Sequence, residues 1–83
     1  MTLNIIQWNI NGYKHNYNEL QLLIKKYNPK IISLQETHVH NYHNIPIPIN
    51  FSFYHVNTST TRYGGVALLI HNSLKHSKIN IAD

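Results

Sequence analysis

The sequence predicts an α/β fold: a strand, helix, strand unit followed by a pair of strands. Three observations carry this. Residues 3–8 and 31–35 are short runs of β-forming side chains. Between them, residues 17–27 place apolar side chains at helical spacing. Two further β-rich runs, 51–56 and 66–70, follow a proline-bearing segment. The span 3–35 has the length that a right-handed βαβ crossover requires.

Taken in order, Leu3-Asn4-Ile5-Ile6-Gln7-Trp8 reads as the first strand. Asn9-Ile10-Asn11-Gly12 ends it, because Asn and Gly tolerate the left-handed region and bond locally to backbone. In the helix, Leu20, Leu23, Ile24 and Tyr27 fall at i, i+3, i+4 and i+7 and form one apolar stripe. Asn16 or Asn18 is placed to cap its start. Glu19 in the first turn and Lys25 and Lys26 in the last suit the helix dipole. Asn28-Pro29 stops the helix, since proline restricts the residue before it.

Ile31-Ile32-Ser33-Leu34-Gln35 is nearly all apolar, as expected of a strand covered on both faces. Residues 37–50 should be a loop, with Ile45-Pro46-Ile47-Pro48-Ile49 extended. Residues 58–65 form a polar connector between the last two strands, and residues 78–81 could start another.

Length and composition bound the possibilities. A chain of 83 residues holds one domain at most, and its core is modest. Without cysteine there is no disulfide framework and no thiolate metal site. Seven Lys/Arg against three Asp/Glu give a formal charge of +4. That balance fits a polyanion such as nucleic acid, but the lysines are scattered, and a solvated basic surface fits equally. The apolar stretch at 3–8 is too short for a secretory signal, and nothing approaches a membrane span. The expectation is a soluble, intracellular protein.

If the first two strands are parallel, their carboxyl ends share one sheet edge, where ligands of open α/β sheets bind. Asn9 follows the first strand and Glu36 the second, so the topology alone brings an amide and a carboxylate together. Such a carboxylate can hold Mg²⁺, which polarises a phosphoryl oxygen and stabilises a leaving oxyanion. Asn9 can orient a water or a phosphate by hydrogen bonds. On spacing alone, the plainer alternative outweighs this: Glu36 as a solvated strand-end residue and Asn9 as a turn former.

Three blocks change the balance. Gln7-Trp8-Asn9-Ile10-Asn11-Gly12, Ile32-Ser33-Leu34-Gln35-Glu36-Thr37 and Gly64-Gly65-Val66-Ala67-Leu68-Leu69-Ile70 stand in this order along nearly the whole chain. They resemble the first three blocks of the endonuclease/exonuclease/phosphatase superfamily. The Leu-Gln-Glu-Thr block is the most specific of them.

The resemblance implies the N-terminal part of a four-layer α/β sandwich, two central sheets flanked by helices, with residues 1–83 an incomplete domain. It implies Mg²⁺ dependence, with Mn²⁺ as a substitute. Glu36 matches the superfamily's metal-binding glutamate and Asn9 its active-site asparagine, which places both at the metal and in catalysis. The superfamily includes apurinic endonucleases, pancreatic-type DNases, sphingomyelinases, inositol phosphatases and retrotransposon endonucleases. Apurinic endonucleases usually carry aspartate where Asn11 stands and lysine where His38 stands. The sequence is more similar to the retrotransposon branch, whose members nick DNA to prime reverse transcription. That branch implies DNA as partner, a fused reverse transcriptase downstream and a nuclear location.

The superfamily also uses a mid-domain Asp-x-Asn and a C-terminal Asp-His. Neither can be placed, since Asp83 is the sole aspartate and no histidine follows one. The expectation is a chain that is inactive alone and prone to associate through exposed apolar faces and sheet edges. A phosphatase or phospholipase of the same superfamily shares the early blocks. A degenerate reading frame or a small basic binding module is the non-enzymatic alternative.

The remaining candidates are weaker. His38, His40 and His43 form His-x-His-x-x-His in a loop; zinc could bind there, but chance clustering in a histidine-rich chain explains the spacing. Asn11, Arg62 and Tyr63 are the candidate nucleic-acid contacts. The plain reading of Arg62 and Tyr63 is an ordinary exposed loop. Trp8 and the helical stripe are core.

Overall fold

A computed structural model describes residues 4–39, 44–56 and 64–75. The elements are β1 (Ile5–Asn9), α1 (Tyr17–Tyr27), β2 (Ile31–Gln35), β3 (Phe51–Val56), β4 (Val66–His71) and α2 (Asn72–Lys75). The strands form one sheet in the order β1-β2-β4-β3. β1 and β2 are parallel, as the crossover length predicts, with Ile5 opposite Ile31 and Asn9 opposite Gln35. β4 runs antiparallel to both β2 and β3 and lies between them. The expected strand pair is therefore a β3–β4 hairpin whose second strand turns back inside the first.

Register decides which side chains share a face. Ile6 and Trp8 align with Ile32 and Leu34, and these with Leu69 and Ala67. Beyond them come Phe53 and His55. α1 packs on this face. Leu20 is fully buried and joins Ile32, Leu34, Ala67 and Leu69 in the core, with Ile24 and Tyr17 packed against it. Burying a leucine side chain fully contributes about 1.5–3 kcal/mol. Tyr13 plugs the space between α1 and β3, its ring 5.7 Å from Tyr17 and 5.1 Å from Phe53. Its hydroxyl donates to the Pro46 carbonyl at 2.7 Å, which ties down the proline-bearing loop.

Several details differ from expectation. β2 is not covered on both faces: Ile32 and Leu34 are buried, while Ile31, Ser33 and Gln35 are half-buried. The reason is that α1 covers one face only. On the other face, among the described residues, Ile5 is 61% and Val56 62% exposed, with Tyr54 and Val66 also open to solvent.

Tyr27 leaves the helical stripe and is exposed. It is the last residue of α1, and its carbonyl accepts from Asn4 Nδ2 at 3.0 Å. Asn16 occupies the N-cap position without capping. Its Nδ2 turns back instead and donates to Ile10 O at 2.7 Å and Asn11 O at 3.3 Å, bracing the β1–α1 turn. Asn18 lies within the helix.

Asn28 ends α1 in the left-handed conformation, and its N–H bonds Ile24 O at 2.8 Å. The short α2 was not predicted. It forms because His71 Nδ1 accepts the Ser73 N–H at 3.1 Å and Asn72 Oδ1 accepts the Ser52 hydroxyl at 2.7 Å. The expected strand at 78–81 lies outside the described residues. No helix among the described residues is long and apolar enough to cross a membrane.

Candidate active site

The parallel strands β1 and β2 end on the same sheet edge, and the chain beyond each stays paired. Ile10 N–H bonds Gln35 O at 3.0 Å, Gly12 N–H bonds Glu36 O at 2.8 Å, and Tyr13 N–H bonds Thr37 O at 2.8 Å. From the other side, Thr37 N–H bonds Gly65 O at 3.2 Å and His38 N–H bonds Gly64 O at 2.8 Å. Residues 36–38 are thus laced between the segment after β1 and the segment before β4. All three sequence blocks meet in this lacing.

The backbone here is unusual. Glu36 has φ 53° and His38 φ 58°, both left-handed. For a residue with a Cβ that conformation costs roughly 1–2 kcal/mol. It persists where surrounding bonds over-determine it, and such residues cluster at functional sites. Glu36 is exposed, and so is Asn9 at the end of β1, in register with the residue before Glu36. An amide oxygen and a carboxylate at the ends of adjacent strands make a hard-oxygen donor set of the kind Mg²⁺ accepts, the cation keeping several waters.

Beneath Glu36 sits Thr37, a polar side chain that is 1% exposed. Its Oγ1 shares a hydrogen bond with His55 Nε2 at 2.5 Å. The His55 ring stacks on Phe53, centroids 5.7 Å apart and planes 9° from parallel. Burial holds the His55 pKa below the usual histidine value. Gly65, at φ 93°, lies against this pair.

Asn11 takes a left-handed turn conformation at φ 51°. It also lines a shallow pocket of about 370 Å³, together with Lys14, His15, Thr37 and His38. Lys14 puts a positive charge on one wall of the pocket. Arg62 and Tyr63 lie outside the described residues, as do His40 and His43. Among the described residues no group of three or more His, Cys, Asp or Glu could hold a metal. Sequence reasoning missed His55, Lys14 and His15. Nothing in the sequence separates His55 from the other six histidines, since its contact with Thr37 depends on strand order.

The Endonuclease/Exonuclease/phosphatase family matches residues 6–82 of the chain. The chain belongs to this family. No curated protein matches the sequence. Among solved structures, members of the endonuclease/exonuclease/phosphatase fold are similar. The Xenopus laevis APE2 catalytic domain is 28% identical with a TM-score of 0.63, covering 81% of this chain and 23% of that one. The AP endonuclease LMAP of Leishmania major is 22% identical with a TM-score of 0.71, covering 86% and 24%. The Neisseria 3' phosphatase NExo, bound to a product DNA hairpin, is 23% identical with a TM-score of 0.63, covering 83% and 27%. The chain thus spans about a quarter of the length of the family structures it matches.

Proposed function

We propose that these residues are the opening portion of a Mg²⁺-dependent phosphodiesterase domain that nicks DNA, of the retrotransposon endonuclease type. The observation that carries this reading is the left-handed Glu36, fixed from both sides at the ligand edge of the sheet with Asn9 one strand away. Glu36 and Asn9 would hold the cation. When bound, Mg²⁺ (or Mn²⁺) supplies charge stabilisation for a phosphoryl oxygen and the leaving oxyanion.

The chain's own residues then bind and orient. Asn9 donates through its amide to a phosphate oxygen or an attacking water. Asn11, Lys14 and His15, on the pocket wall, suit contact with the phosphodiester backbone. Asn11 and His38, where apurinic endonucleases usually carry aspartate and lysine, favour the retrotransposon branch. With Asp83 the sole aspartate, the 83-residue chain lacks an Asp-His pair and turns over no substrate alone. A reverse transcriptase fused downstream and a nuclear location belong to the same proposal.

The test begins with the transcript beyond the Asp83 codon. Asp-x-Asn, Asp-His and reverse transcriptase motifs in frame are the expected finding. The encoded domain should nick supercoiled DNA with Mg²⁺, and Glu36→Ala should lower the rate by about 100-fold or more, as removal of a charge-stabilising group does. Unchanged nicking by Glu36→Ala removes the assignment. Release of inorganic phosphate without nicking moves the protein to the phosphatase branch.

A further inference from the structure

We infer that His55 is a positioning residue for Glu36: acting through Thr37, it holds residue 36 in the left-handed conformation that presents its carboxylate at the sheet edge. This rests on the reading of Glu36 as a metal ligand.

The geometry forms a closed circuit around Thr37. Its Oγ1 bonds His55 Nε2 at 2.5 Å. His55 stacks on Phe53, and Phe53 meets the Tyr13 ring at 5.1 Å. The Tyr13 N–H returns to Thr37 O at 2.8 Å, while Thr37 N–H reaches Gly65 O at 3.2 Å. Donor, acceptor and side chain of Thr37 are all committed, each to a different segment of the chain.

Thr37 is β-branched and stiff at χ1, so fixing its hydroxyl also fixes its backbone. The residue directly before it is Glu36, whose φ of 53° a carboxylate side chain does not choose by itself. A buried hydroxyl without a partner costs stability, so without His55 residue 37 would turn its Oγ1 elsewhere. A merely structural role would be met as well by an apolar side chain at 37, which would fill the same space and need no histidine. Hydrogen-bond partners of metal ligands typically alter metal affinity by about 10–100-fold when replaced, and Thr37 and His55, one step further out, belong at the lower end of that range.

The experiment uses the full encoded protein that contains these residues, with Mn²⁺ alone. Mn²⁺ affinity is measured by titration calorimetry for wild type, Glu36→Ala, His55→Ala, His55→Gln and Thr37→Val, at a temperature where each is folded. In parallel, the strong intraresidue amide–Hα NOE of a left-handed residue is followed at Glu36. The expected result is that His55→Ala and Thr37→Val bind Mn²⁺ about 10-fold more weakly and lose the NOE. His55→Gln, whose amide can still reach the hydroxyl, keeps both.

Wild-type affinity and an unchanged NOE in His55→Ala and Thr37→Val overturn the inference. If His55→Ala does not fold, the near-isosteric Thr37→Val decides. Equal Mn²⁺ binding by wild type and Glu36→Ala instead defeats the metal reading. The NOE then decides alone: its loss upholds the positioning role, and its persistence ends it.

Discussion

Gly65 packs so tightly against Thr37 that a Cβ at 65 would stand 2.7 Å from Thr37 Oγ1 and 2.9 Å from His55 Nε2. The backbone there has φ 93°, which L side chains rarely adopt. Gly65→Ala therefore combines overpacking, about 1–3 kcal/mol, with a backbone penalty of about 1–2 kcal/mol. Urea denaturation should show this as a lower midpoint with an unchanged slope. A variant as stable as wild type would mean the loop gives way at little cost.

Glu36→Gly should separate stability from binding. Glycine takes φ 53° without strain, which returns about 1–2 kcal/mol, while its greater freedom in the unfolded chain costs about 0.5–1 kcal/mol. Thermal unfolding should show stability unchanged or raised by up to about 1.5 kcal/mol, and Mn²⁺ binding should vanish. Marked destabilisation would reveal a structural role for the carboxylate.

The chain should weaken in mild acid. Burial lowers the folded-state pKa of His55, and burial followed by the charge of Lys30 lowers that of His71. The unfolded chain therefore takes up these protons first, at about pH 6.5. Stability from the neutral rings is fully present above that value and is lost as pH falls through the folded pKa values. Urea midpoints measured from about pH 7.5 to about pH 5.5 should decline in wild type and decline less in His55→Gln. Parallel curves would show that His55 titrates as in the unfolded chain.

Lys14 offers a test of the proposed nucleic-acid surface. Removing a single phosphate-neutralising side chain should lower the slope of log affinity against log salt by about 0.9 for duplex DNA. Fluorescence anisotropy of Lys14→Ala across a salt series measures it. An unaltered slope would place the DNA elsewhere.

Much of the fold was legible because its signals are local. The helical spacing of Leu20, Leu23 and Ile24 and the Asn28-Pro29 stop put α1 at Tyr17–Tyr27 as expected. The β-forming runs, isoleucine-led at 31–35 and aromatic at 51–56, marked β2 and β3 at their observed ends. The parallel pairing that brings Asn9 near Glu36 followed from crossover length. What escaped depends on tertiary placement. Tyr27 fits the stripe by count, yet it sits at the helix end and faces solvent. Asn16 has the right chemistry for a cap, but the Ile10 carbonyl competes for its amide and wins. The Thr37–His55 pair needs β4 to lie between β2 and β3, and no local pattern encodes that order.

The lacing at residues 36–38 ties Gly12 and Tyr13 to one side and Gly64 and Gly65 to the other. These segments are remote in the chain, so the loops joining them must close before any of the bonds can form. Pairings between such distant segments are made late and slow a domain's folding. This edge of the sheet thus comes into being only once the whole sheet is assembled. A partly folded chain that already holds β3 and β4 together as a hairpin leaves residues 36–38 without their bonds to Gly12 and Tyr13.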